Sequence, residues 1–586
     1  MKKKTKIVCT IGPASDSVET LKQLMEAGMN VCRLNFSHGS HEEHQVRIDN
    51  IKEAREALEL PVAIMLDTKG PEIRLKNFEN GEIDLKVGDK FTLTTRDLVG
   101  NQEIVSISYE GLPADVKIGD RILIDDGLIE LIVEDVTDGT DIHCEVRNYG
   151  TIKDKKGVNV PSVSINLPSL TERDVNDIKF GIKNDVDYIA ASFIRKAADV
   201  LDIRKVLEEN GGDRIGIIAK IENEEGVFNL NEIIDSADGI MVARGDLGVE
   251  IRTETMPLIQ KQIIRKTNMA AKPVITATQM LDSMIRNPRP TRAEVTDVAN
   301  AIIDGTDAIM LSGETAAGKY PVEAVHIMHD IAVTTENSKD FIDSTAKRRD
   351  WESKTTTNSI SRSSCSIAVQ LDATAILTAT ATGGTPRHLS KFRPTAPIVA
   401  ATYSHEVMRA LSLVWGVFPV LAQKTDVTDE VIENSISAAV NANYIHEGEL
   451  IVITAGIPVA VGGTTNLIKV HTVGDIVARG LGIGKKSVSG VICIGSTEEE
   501  LEGRFQEGMI LVAKATDRDL VKYVEKAIAV VVEEGGLTSH AAIVALHFDL
   551  PTIVGVDDIT QILEDGETIT VDPIAGLIYR GEAKVL

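Results

Sequence analysis

The sequence predicts an α/β protein whose main body is a (βα)8 barrel with an inserted β-domain, followed by an α/β domain and a further C-terminal domain. Eight short β-branched runs alternate with helical patterns before residue 340, and a Gly- and Asp-rich block of alternating strands interrupts them. Continuous apolar strands that alternate with helices are typical of a parallel sheet covered on both faces.

The barrel prediction rests on runs that mostly end in polar or charged residues. The eight predicted strands are Lys6–Thr10, Asn30–Asn35, Val62–Asp67, Tyr188–Ser192, Gly216–Lys220, Gly239–Arg244, Pro273–Thr276 and Ala308–Ser312. In a closed barrel the carboxyl-terminal strand ends converge on the active site. We assign the barrel to residues 1–70 and 169–340.

Residues 71–168 interrupt this rhythm with alternating strands. The predicted strands are Gly81–Thr95, Gln102–Ser108, Asp120–Asp126, Leu128–Val136 and Asp141–Tyr149. The pattern indicates a small antiparallel β-domain inserted in a barrel loop, where it could act as a lid over the barrel mouth.

Two further domains are expected after the barrel. A polar stretch at 344–364 precedes an α/β domain, assigned to 341–473, with strands predicted at Ala375–Thr378, Ile398–Ala401 and Leu450–Thr454. A Gly-rich segment, 479–485, leads into the last domain, assigned to 474–586.

Composition restricts the classes of function. The net charge of −26 argues against nonspecific binding to nucleic acid or to an anionic membrane, so an anionic substrate would need a locally positive pocket or a bound cation. We find no apolar run near the roughly 20 residues needed to span a bilayer. The five scattered cysteines are expected to be reduced thiols in a cytoplasmic protein.

The end of the fifth predicted strand carries the strongest chemical signal. Lys220 and Glu222 are two residues apart and point to the same side of an extended chain, and Asp246 follows the next strand. The two carboxylates could share Mg²⁺ or Mn²⁺, which accepts oxygen ligands and leaves positions for substrate. Spacing alone equally allows a structural salt bridge between Lys220 and a carboxylate. Gly245 and Gly248 favour the metal site instead, because glycines let the backbone approach a ligand closely.

A second group of polar residues follows the second and third strands. Arg33 has the planar guanidinium that suits phosphate. Asn35, Ser37, Asp67 and Thr68 supply oxygen atoms that together could coordinate a monovalent cation. Taken one by one, each is more simply an ordinary polar group of a loop.

Eight ordered blocks resemble the pyruvate kinase family and favour the functional interpretation. They include CTIGPAS, NVCRLNFSHG, MLDTKGPEIR, KGVNVP, IAKIENEEG, MVARGDLGVE, VITATQML and the segment from Pro290 to Pro321, and the resemblance covers about residues 5–473. It implies transfer of the phosphoryl group of phosphoenolpyruvate to ADP, giving pyruvate and ATP, with Mg²⁺ (or Mn²⁺) and K⁺. It also implies a homotetramer, and K⁺ dependence for relatives that, like this chain, have glutamate at the position of Glu72.

The resemblance also implies individual roles. The catalytic residues would be Lys220, Arg33, Thr278 and Ser312, the last two as candidates to protonate the enolate through water. Substrate contacts would come from Arg33, Lys220, Ala243, Arg244, Gly245, Asp246 and Thr278. Glu222 and Asp246 would bind Mg²⁺, and Asn35, Ser37, Asp67 and Thr68 would bind K⁺. Nucleotide contacts would come from Asn35, Phe36, Ser37, His38, Arg74 and Lys156.

An effector site is expected in the α/β domain. The Thr- and Gly-rich turn after its first strand could present hydroxyl and N–H groups to a phosphate, although an unoccupied turn is the alternative. The residues concerned are Thr380, Thr382, Gly383, Gly384 and Thr385. The loop at 455–466 lacks the Trp and Arg of many relatives activated by a sugar bisphosphate, which favours a sugar monophosphate or AMP.

The last domain resembles the phosphohistidine domain of phosphoenolpyruvate-utilising enzymes. The stretch GGLTSHAAIVALHFDLPTIVG places His540 at the position phosphorylated in that family, while Leu546 replaces its usual arginine. The sequence has no ATP-grasp phosphoryl donor domain. A domain kept for packing or regulation is therefore favoured over a working phosphocarrier.

Overall fold

The computed structural model describes residues 3–350, 354–425, 427–456 and 465–585. They form two compact units. The first contains the described residues before 353 together with Ser390–Arg393 and Ser404–Pro419, and the second contains the remainder.

The first unit contains a closed parallel barrel, which confirms the predicted fold class. Its eight strands, in chain order, are Lys6–Thr10, Val31–Asn35, Ala63–Asp67, Tyr188–Ala191, Gly216–Ile221, Gly239–Ala243, Val274–Ala277 and Ala308–Leu311. Each strand pairs in parallel with its sequence neighbours, and the eighth closes onto the first with Lys6 opposite Ala308. Five predicted carboxyl-terminal strand ends differ from the observed ones by one residue; among these, Arg244 begins a helix and Ser312 lies in the following turn.

Helices surround the barrel, and several begin with a reciprocal cap that the sequence encodes directly. Ser40 with Glu43 and Thr291 with Glu294 form capping boxes, which satisfy amide groups that a helix start leaves free. The helices of this unit are Val18–Glu26, His41–Ala57, Glu172–Lys183, Ala197–Glu209, Glu224–Phe228, Leu230–Ser236, Arg244–Glu250, Met256–Met269, Arg292–Asp304, Gly313–Ala316, Pro321–Glu336 and Lys339–Ala346. Short 3₁₀ turns are Thr253–Thr255, Asp282–Ile285, Lys347–Asp350 and Leu411–Leu413.

The barrel has two apolar layers. The interior holds side chains such as Val8, Met65, Tyr188, Ile218 and Met241. A larger cluster of Ile, Leu and Val fills the space between the strands and the helices, as expected for a protein with only 4% aromatic residues. These layers fix the strand ends on which the site is built.

The inserted domain is a β-domain, but it is not purely antiparallel as predicted. Lys90–Thr94 and Ile104–Ser106 pair in parallel, since a loop rather than a hairpin joins them. The strands of its seven-stranded sheet, in spatial order, are Ile73–Arg74, Gly157–Asn159, Arg121–Ile124, Ile129–Thr137, Asp141–Val146, Lys90–Thr94 and Ile104–Ser106. Glu82–Leu85 and Gly150–Lys153 form a separate pair, and Leu112–Asp115 is a single helical turn.

Two sheets account for most of the second unit. The first has the order Val417–Leu421, Ile398–Thr402, Ala375–Ala379, Leu450–Ala455 and Leu467–Thr472. The second has the order Ile476–Arg479, Leu577–Arg580, Thr568–Asp572, Val488–Ile494, Ile510–Ala513, Ala529–Val532, Thr552–Val554 and Leu481–Ile483. The helices of this unit are Thr356–Gln370, Gly384–Ser390, Thr428–Asn441, Glu498–Leu501, Val521–Val524, His540–Phe548 and Ile559–Ile562, whereas His405–Ala410 belongs to the first unit.

The end of the chain returns to the α/β sheet of the second unit. The amide of Lys584 donates to Gly448 O at 2.6 Å, and Thr472 Oγ1 donates to Lys584 O at 3.1 Å. The domain boundaries remain predictions, but this contact ties the last domain to the one before it.

All five cysteines lie in the described part of the chain, are buried and form no disulfide there. Among the described residues we find no helix with the length and apolar character needed to cross a membrane.

Candidate active site

Lys220 joins the ends of three neighbouring barrel strands. Its Nζ lies 3.1 Å from Asp67 Oδ1, 2.8 Å from Ser192 Oγ and 2.9 Å from Glu222 Oε1. Burial lowers the pKa of Lys220, but the carboxylates of Asp67 and Glu222 outweigh it and hold that pKa above its ordinary value. The amine is therefore a fixed positive charge in a buried position.

Arg33 places a second positive charge beside the same carboxylate. Its Nε donates to Asp67 Oδ2 at 2.6 Å, and its Nη1 donates to Thr10 Oγ1 at 2.8 Å. Although burial acts to raise it, the pKa of Asp67 lies below its ordinary value because Arg33 and Lys220 favour the charged form. Asp67 thus holds both cations in place at the barrel mouth.

Glu222 and Asp246 form the acidic side of the site. Glu222 Oε2 accepts the amide of Phe193 at 2.5 Å. Burial, with a smaller contribution from the neighbouring Asp246, raises the pKa of Glu222 to about 7, and burial also raises the pKa of Asp246. The carboxylates of the buried Glu222 and the partly buried Asp246 fit a hard divalent cation. Such a cation needs only one or two protein carboxylates when substrate oxygens complete its shell.

The predicted K⁺ ligands lie together at the ends of the second and third strands. Asn35 is the register partner of Asp67, Asn35 Oδ1 accepts the amide of Ser37 at 3.1 Å, and Thr68 follows directly. Ser192, a residue that sequence reasoning did not single out, donates to Thr68 O at 2.7 Å. The donors here are oxygen atoms, as a hard monovalent cation requires.

The predicted nucleotide residues of this loop differ in what they can offer. The Phe36 ring is only 1% exposed and stacks on His44 with centroids 3.9 Å apart, so Phe36 can offer a ligand only its backbone. His38 O accepts a hydrogen bond from His44 at 2.9 Å, and Arg173 donates to Phe36 O at 2.7 Å. The loop is thereby anchored from two helices.

Arg74 and Lys156 lie in the inserted domain and line a cavity of about 640 Å³ whose other wall includes Asp246 of the barrel. Arg74 Nε donates to Glu72 Oε2 at 2.6 Å, and Lys156 Nζ lies 2.8 Å from Asp125 Oδ1. These two cations therefore face the carboxylate side of the site across the cavity.

A second cavity of about 540 Å³ contains the predicted carboxylate-binding group. Its lining includes Gly245, Asp246 and Thr278. The amide of Gly245 donates to Thr278 Oγ1 at 2.8 Å. Ala243 ends the sixth strand directly below.

The Arg244 side chain lines the same cavity and is held by the loop that carries Thr278. Its guanidinium donates to Ala277 O at 3.0 Å and Thr278 O at 2.7 Å, and it is held by Asp297 at 2.8 Å. The side chain therefore supports the loop that carries Thr278.

Ser312 lies after the eighth strand, and Glu314, which sequence reasoning missed, accepts its amide at 2.7 Å. Glu314 sits in a short Gly-Glu-Thr-Ala helix. A carboxylate two residues beyond a predicted strand end was the only signal available for it.

The remaining predicted residues lie in the second unit. Gly383 donates its amide to Thr380 Oγ1 at 2.9 Å, Thr385 Oγ1 is 2.7 Å from Thr465 Oγ1, and Thr382 and Gly384 lie in the same turn. Nearby, Arg387 Nε is buried and without a hydrogen-bond partner among the described residues. Most of the loop at 455–466 falls in 457–464, outside the described residues.

His540 opens the helix His540–Phe548, and its Nδ1 lies 3.1 Å from Thr516 Oγ1. Leu546, on the same helix, is 67% exposed.

A βα barrel with lysine, arginine and paired carboxylates at its carboxyl-terminal strand ends belongs to the class of barrel enzymes that act on anionic substrates. Comparisons with known proteins define that class further. The family description "Pyruvate kinase, barrel domain" matches residues 2–325, "Pyruvate kinase, alpha/beta domain" matches 358–471, and "PEP-utilising enzyme, mobile domain" matches 505–576.

Curated relatives match over the whole length. A pyruvate kinase of Geobacillus stearothermophilus is 55% identical over 587 residues, and one of Bacillus licheniformis is 54% identical over 585, each covering 100% of both chains. A crystal structure of a pyruvate kinase from Cryptosporidium parvum is 42% identical with a TM-score of 0.77, covering 80% of this chain and 96% of that one. The chain belongs to the pyruvate kinase family and is a glycolytic phosphotransferase.

Proposed function

We propose that this enzyme transfers the phosphoryl group of phosphoenolpyruvate to ADP at the ends of the barrel strands, with Arg33 and Lys220 on the transferring group. The observation that carries the proposal is the pair of cations fixed on Asp67, which brings two positive charges to one point of an acidic protein. Phosphoryl transfer depends on in-line positioning and on neutralising the phosphoryl oxygens more than on covalent help from the protein.

The metal requirement is part of the same proposal. Glu222 and Asp246 would hold Mg²⁺ or Mn²⁺, and Asn35, Ser37, Asp67 and Thr68 would hold K⁺. When bound, these cations supply positive charge against the phosphoryl and enolate oxygens.

The nucleotide would meet this site from the inserted domain. Arg74 and Lys156 face it across the cavity and suit the phosphates of ADP, together with Asn35, Ser37, His38 and the backbone of Phe36. Excluding water as the inserted domain closes would strengthen these charge interactions and prevent hydrolysis.

The carboxylate of phosphoenolpyruvate would bind the amides that follow the sixth strand, at Ala243–Gly245 and Asp246, beside the Thr278 hydroxyl. The bond between phosphorus and the enol oxygen breaks as an oxygen of the ADP β-phosphate attacks. The enolate left behind is stabilised by Lys220 and takes a proton at its methylene carbon. Thr278 and Ser312 are the proposed source of that proton through water.

The proposal is tested by a coupled assay of pyruvate formation. Turnover should require phosphoenolpyruvate, ADP, a divalent cation and K⁺, and omission of either cation should suppress it. Full turnover without added K⁺ would contradict the monovalent site, and full turnover after chelation would contradict the divalent one.

An allosteric phosphate site is proposed at the turn containing Thr380, Thr382, Gly383, Gly384 and Thr385. The buried Arg387 Nε, which has no partner among the described residues, supports it, since a guanidinium N–H suits a phosphate oxygen. A sugar monophosphate or AMP is favoured. Isothermal titration with each compound, compared between wild type and Arg387→Gln, tests the assignment.

We also propose a cytoplasmic homotetramer. The five buried cysteines, none of which forms a disulfide in the described residues, support a reducing compartment. Leu258 and Met269 are exposed apolar residues on one helix. They are eleven positions, or about three turns, apart and so lie on the same face, which a subunit contact would cover. Sedimentation of wild type and of Leu258→Glu tests the oligomer.

For the last domain we favour a packing or regulatory role over a phosphocarrier. Leu546, on the helix that begins at His540, replaces the arginine that is usual in the phosphohistidine family. Mass spectrometry for acid-labile phosphate on His540 after incubation with phosphoenolpyruvate tests the alternative.

A further inference from the structure

We propose that Glu314 is a positioning residue that holds Thr278 and Ser312 in the arrangement in which the enolate is protonated. The inference rests on the proposed roles of these two hydroxyls. Glu314 itself is only 2% exposed, so it acts through its neighbours rather than on substrate.

The carboxylate of Glu314 bridges the loops that follow the seventh and eighth barrel strands. Oε1 accepts the amide of Leu281 at 3.0 Å, and Oε2 accepts the amide of Ser312 at 2.7 Å. One side chain therefore fixes the distance between the loop that carries Thr278 and the residue that carries the second hydroxyl.

The first of these loops needs to be held. Thr278 and Gln279 have φ of +66° and +54°, so two successive residues with side chains lie in the left-handed region. That conformation is unfavourable, and most of all for a β-branched residue such as threonine, so it persists only where surrounding contacts impose it. Arg244 holds the start of the loop at Ala277 O and Thr278 O, while Glu314 holds its end at Leu281.

The second loop is equally unusual. Ser312 has φ −111° and ψ −95°, outside the helical and extended regions, and its amide is directed at Glu314. Because both groups that bind Glu314 are main-chain amides, Glu314 constrains the backbone and occupies neither hydroxyl. The Thr278 hydroxyl itself donates to Ala277 O at 2.7 Å and accepts the amide of Gly245 at 2.8 Å.

A carboxylate is the group that this geometry requires. Each oxygen accepts one N–H, whereas the amide of glutamine would direct its own N–H₂ at one of the two donors. Glu314→Gln therefore keeps the shape of the side chain and removes one of the two bonds.

The experiment measures proton transfer apart from phosphoryl transfer. With Mg²⁺ and K⁺ present in D₂O, the enzyme should exchange the methyl hydrogens of pyruvate. In that step a C–H bond breaks, its electron pair forms the enolate and the proton leaves through the hydroxyl groups. We expect Glu314→Gln to lower both kcat and the exchange rate, which is followed by NMR, about 10- to 100-fold, because displacing catalytic groups by about 1 Å has an effect of this size. The KM for phosphoenolpyruvate should change less than about threefold.

Asp307→Asn is the matched control, since Asp307 bridges the same two strands at the opposite end of the barrel. It is buried and accepts the amides of Val274 at 3.1 Å and Trp415 at 3.3 Å. Its loss should lower the melting temperature at least as much as Glu314→Gln while leaving kcat and exchange within about twofold, since it lies far from the chemistry. Equal kinetic effects of the two variants would overturn the positioning role.

Two further variants separate this inference from the proposed function. If Glu314→Gln does not fold, Glu314→Asp keeps the charge and should show a smaller but equally selective loss of exchange. Unchanged exchange in that variant would overturn the positioning role of Glu314. Thr278→Val and Ser312→Ala test the hydroxyls directly. If neither alters exchange, the proposed proton source is wrong; if they alter it and Glu314→Gln does not, only the positioning role fails.

Discussion

The Lys220 ammonium lies 2.9 Å from Glu222 Oε1, so a proposed phosphoryl ligand and a proposed metal ligand are in direct contact. The same strand presents both, two residues apart. Glu222 would therefore offer its carboxylate both to Lys220 and to the divalent cation that it is proposed to hold.

Removing the amine should affect rate far more than binding. We expect Lys220→Met to lower kcat at least about 10²-fold, because charge on the phosphoryl and enolate oxygens is greatest in the transition state. The dissociation constant of phosphoenolpyruvate, from fluorescence titration, should change much less. Lys205→Met, at an exposed lysine on the barrel surface, controls for loss of charge. Retention of more than about a tenth of wild-type kcat would contradict the role of Lys220.

Reversing the charge at Glu72 should relieve the K⁺ requirement. Glu72 Oε2 accepts Arg74 Nε at 2.6 Å and lies 4.0 Å from Lys69 Nζ, so it lies beside the predicted nucleotide contacts. Glu72→Lys would supply a positive charge from the protein in place of the ion. We expect wild type to lose most activity when K⁺ is replaced by tetramethylammonium, and the variant to lose much less.

Glu79→Lys, at an exposed site in the same domain, is the matched control and should remain K⁺-dependent. Wild-type activity that is equal with and without K⁺ would refute the assignment of Asn35, Ser37, Asp67 and Thr68.

The barrel could be predicted because its evidence is local. Each strand is a short, mainly apolar run with polar residues at its carboxyl end or just beyond it, and Lys220, Glu222 and Asp246 were recognised at such positions. The spacing also left a salt bridge to Lys220 open, and the structure contains that bridge within the same cluster. The two interpretations therefore describe one arrangement.

What could not be predicted depends on pairing between distant segments. Glu314 meets the amide of Leu281, 33 residues earlier, and Ser192 meets Lys220 and Thr68 across strand ends. Main-chain amides carry no signature in a sequence, so such bridges cannot be read from it. The parallel strand pair in the inserted domain was missed for a related reason. Alternation of apolar and polar residues indicates which face of the sheet a side chain lies on, but not the direction of the neighbouring strand.

Stability should rise with pH through one buried lysine. Burial, with a smaller contribution from Lys3, lowers the pKa of Lys6 from 10.5 to about 7 in the folded protein. Between these values the unfolded chain binds a proton that the folded chain has released, so raising the pH favours folding by up to about 1.4 kcal/mol per unit. This contribution is fully present above pH 10.5 and is lost as pH falls toward 7.

Lys6→Met removes this titration and keeps an unbranched apolar stem. The free energy of unfolding of wild type relative to Lys6→Met, from urea unfolding, should therefore increase between pH 7 and pH 9.5. Lys205→Met should show no such trend relative to wild type. A constant difference for Lys6→Met across that range would mean that Lys6 stays charged, held by Val417 O at 2.6 Å.

The last prediction concerns the C-terminal domain, which we expect to be dispensable for catalysis but not for stability. The residues proposed for phosphoryl transfer lie at or before Ser312, in the first unit. A chain ending at Val473 should retain kcat within about threefold at 25 °C, since the groups that stabilise the transition state remain in place. It should unfold at a lower temperature, because it loses the bonds of Lys584 to Gly448 and Thr472 and a docked domain stabilises the state that it binds.

His540→Ala distinguishes a structural domain from a catalytic one. The His540 ring contacts Thr516 Oγ1, and His547 on the same helix is exposed, so His547→Ala is its matched control. Both variants should turn over at the wild-type rate, because the residues proposed for phosphoryl transfer lie in the first unit and His540 does not. If the truncated chain lost turnover while its barrel stayed folded, the domain would be catalytic. If His540→Ala alone lost turnover at an unchanged melting temperature, the phosphoryl group would have to pass through that histidine.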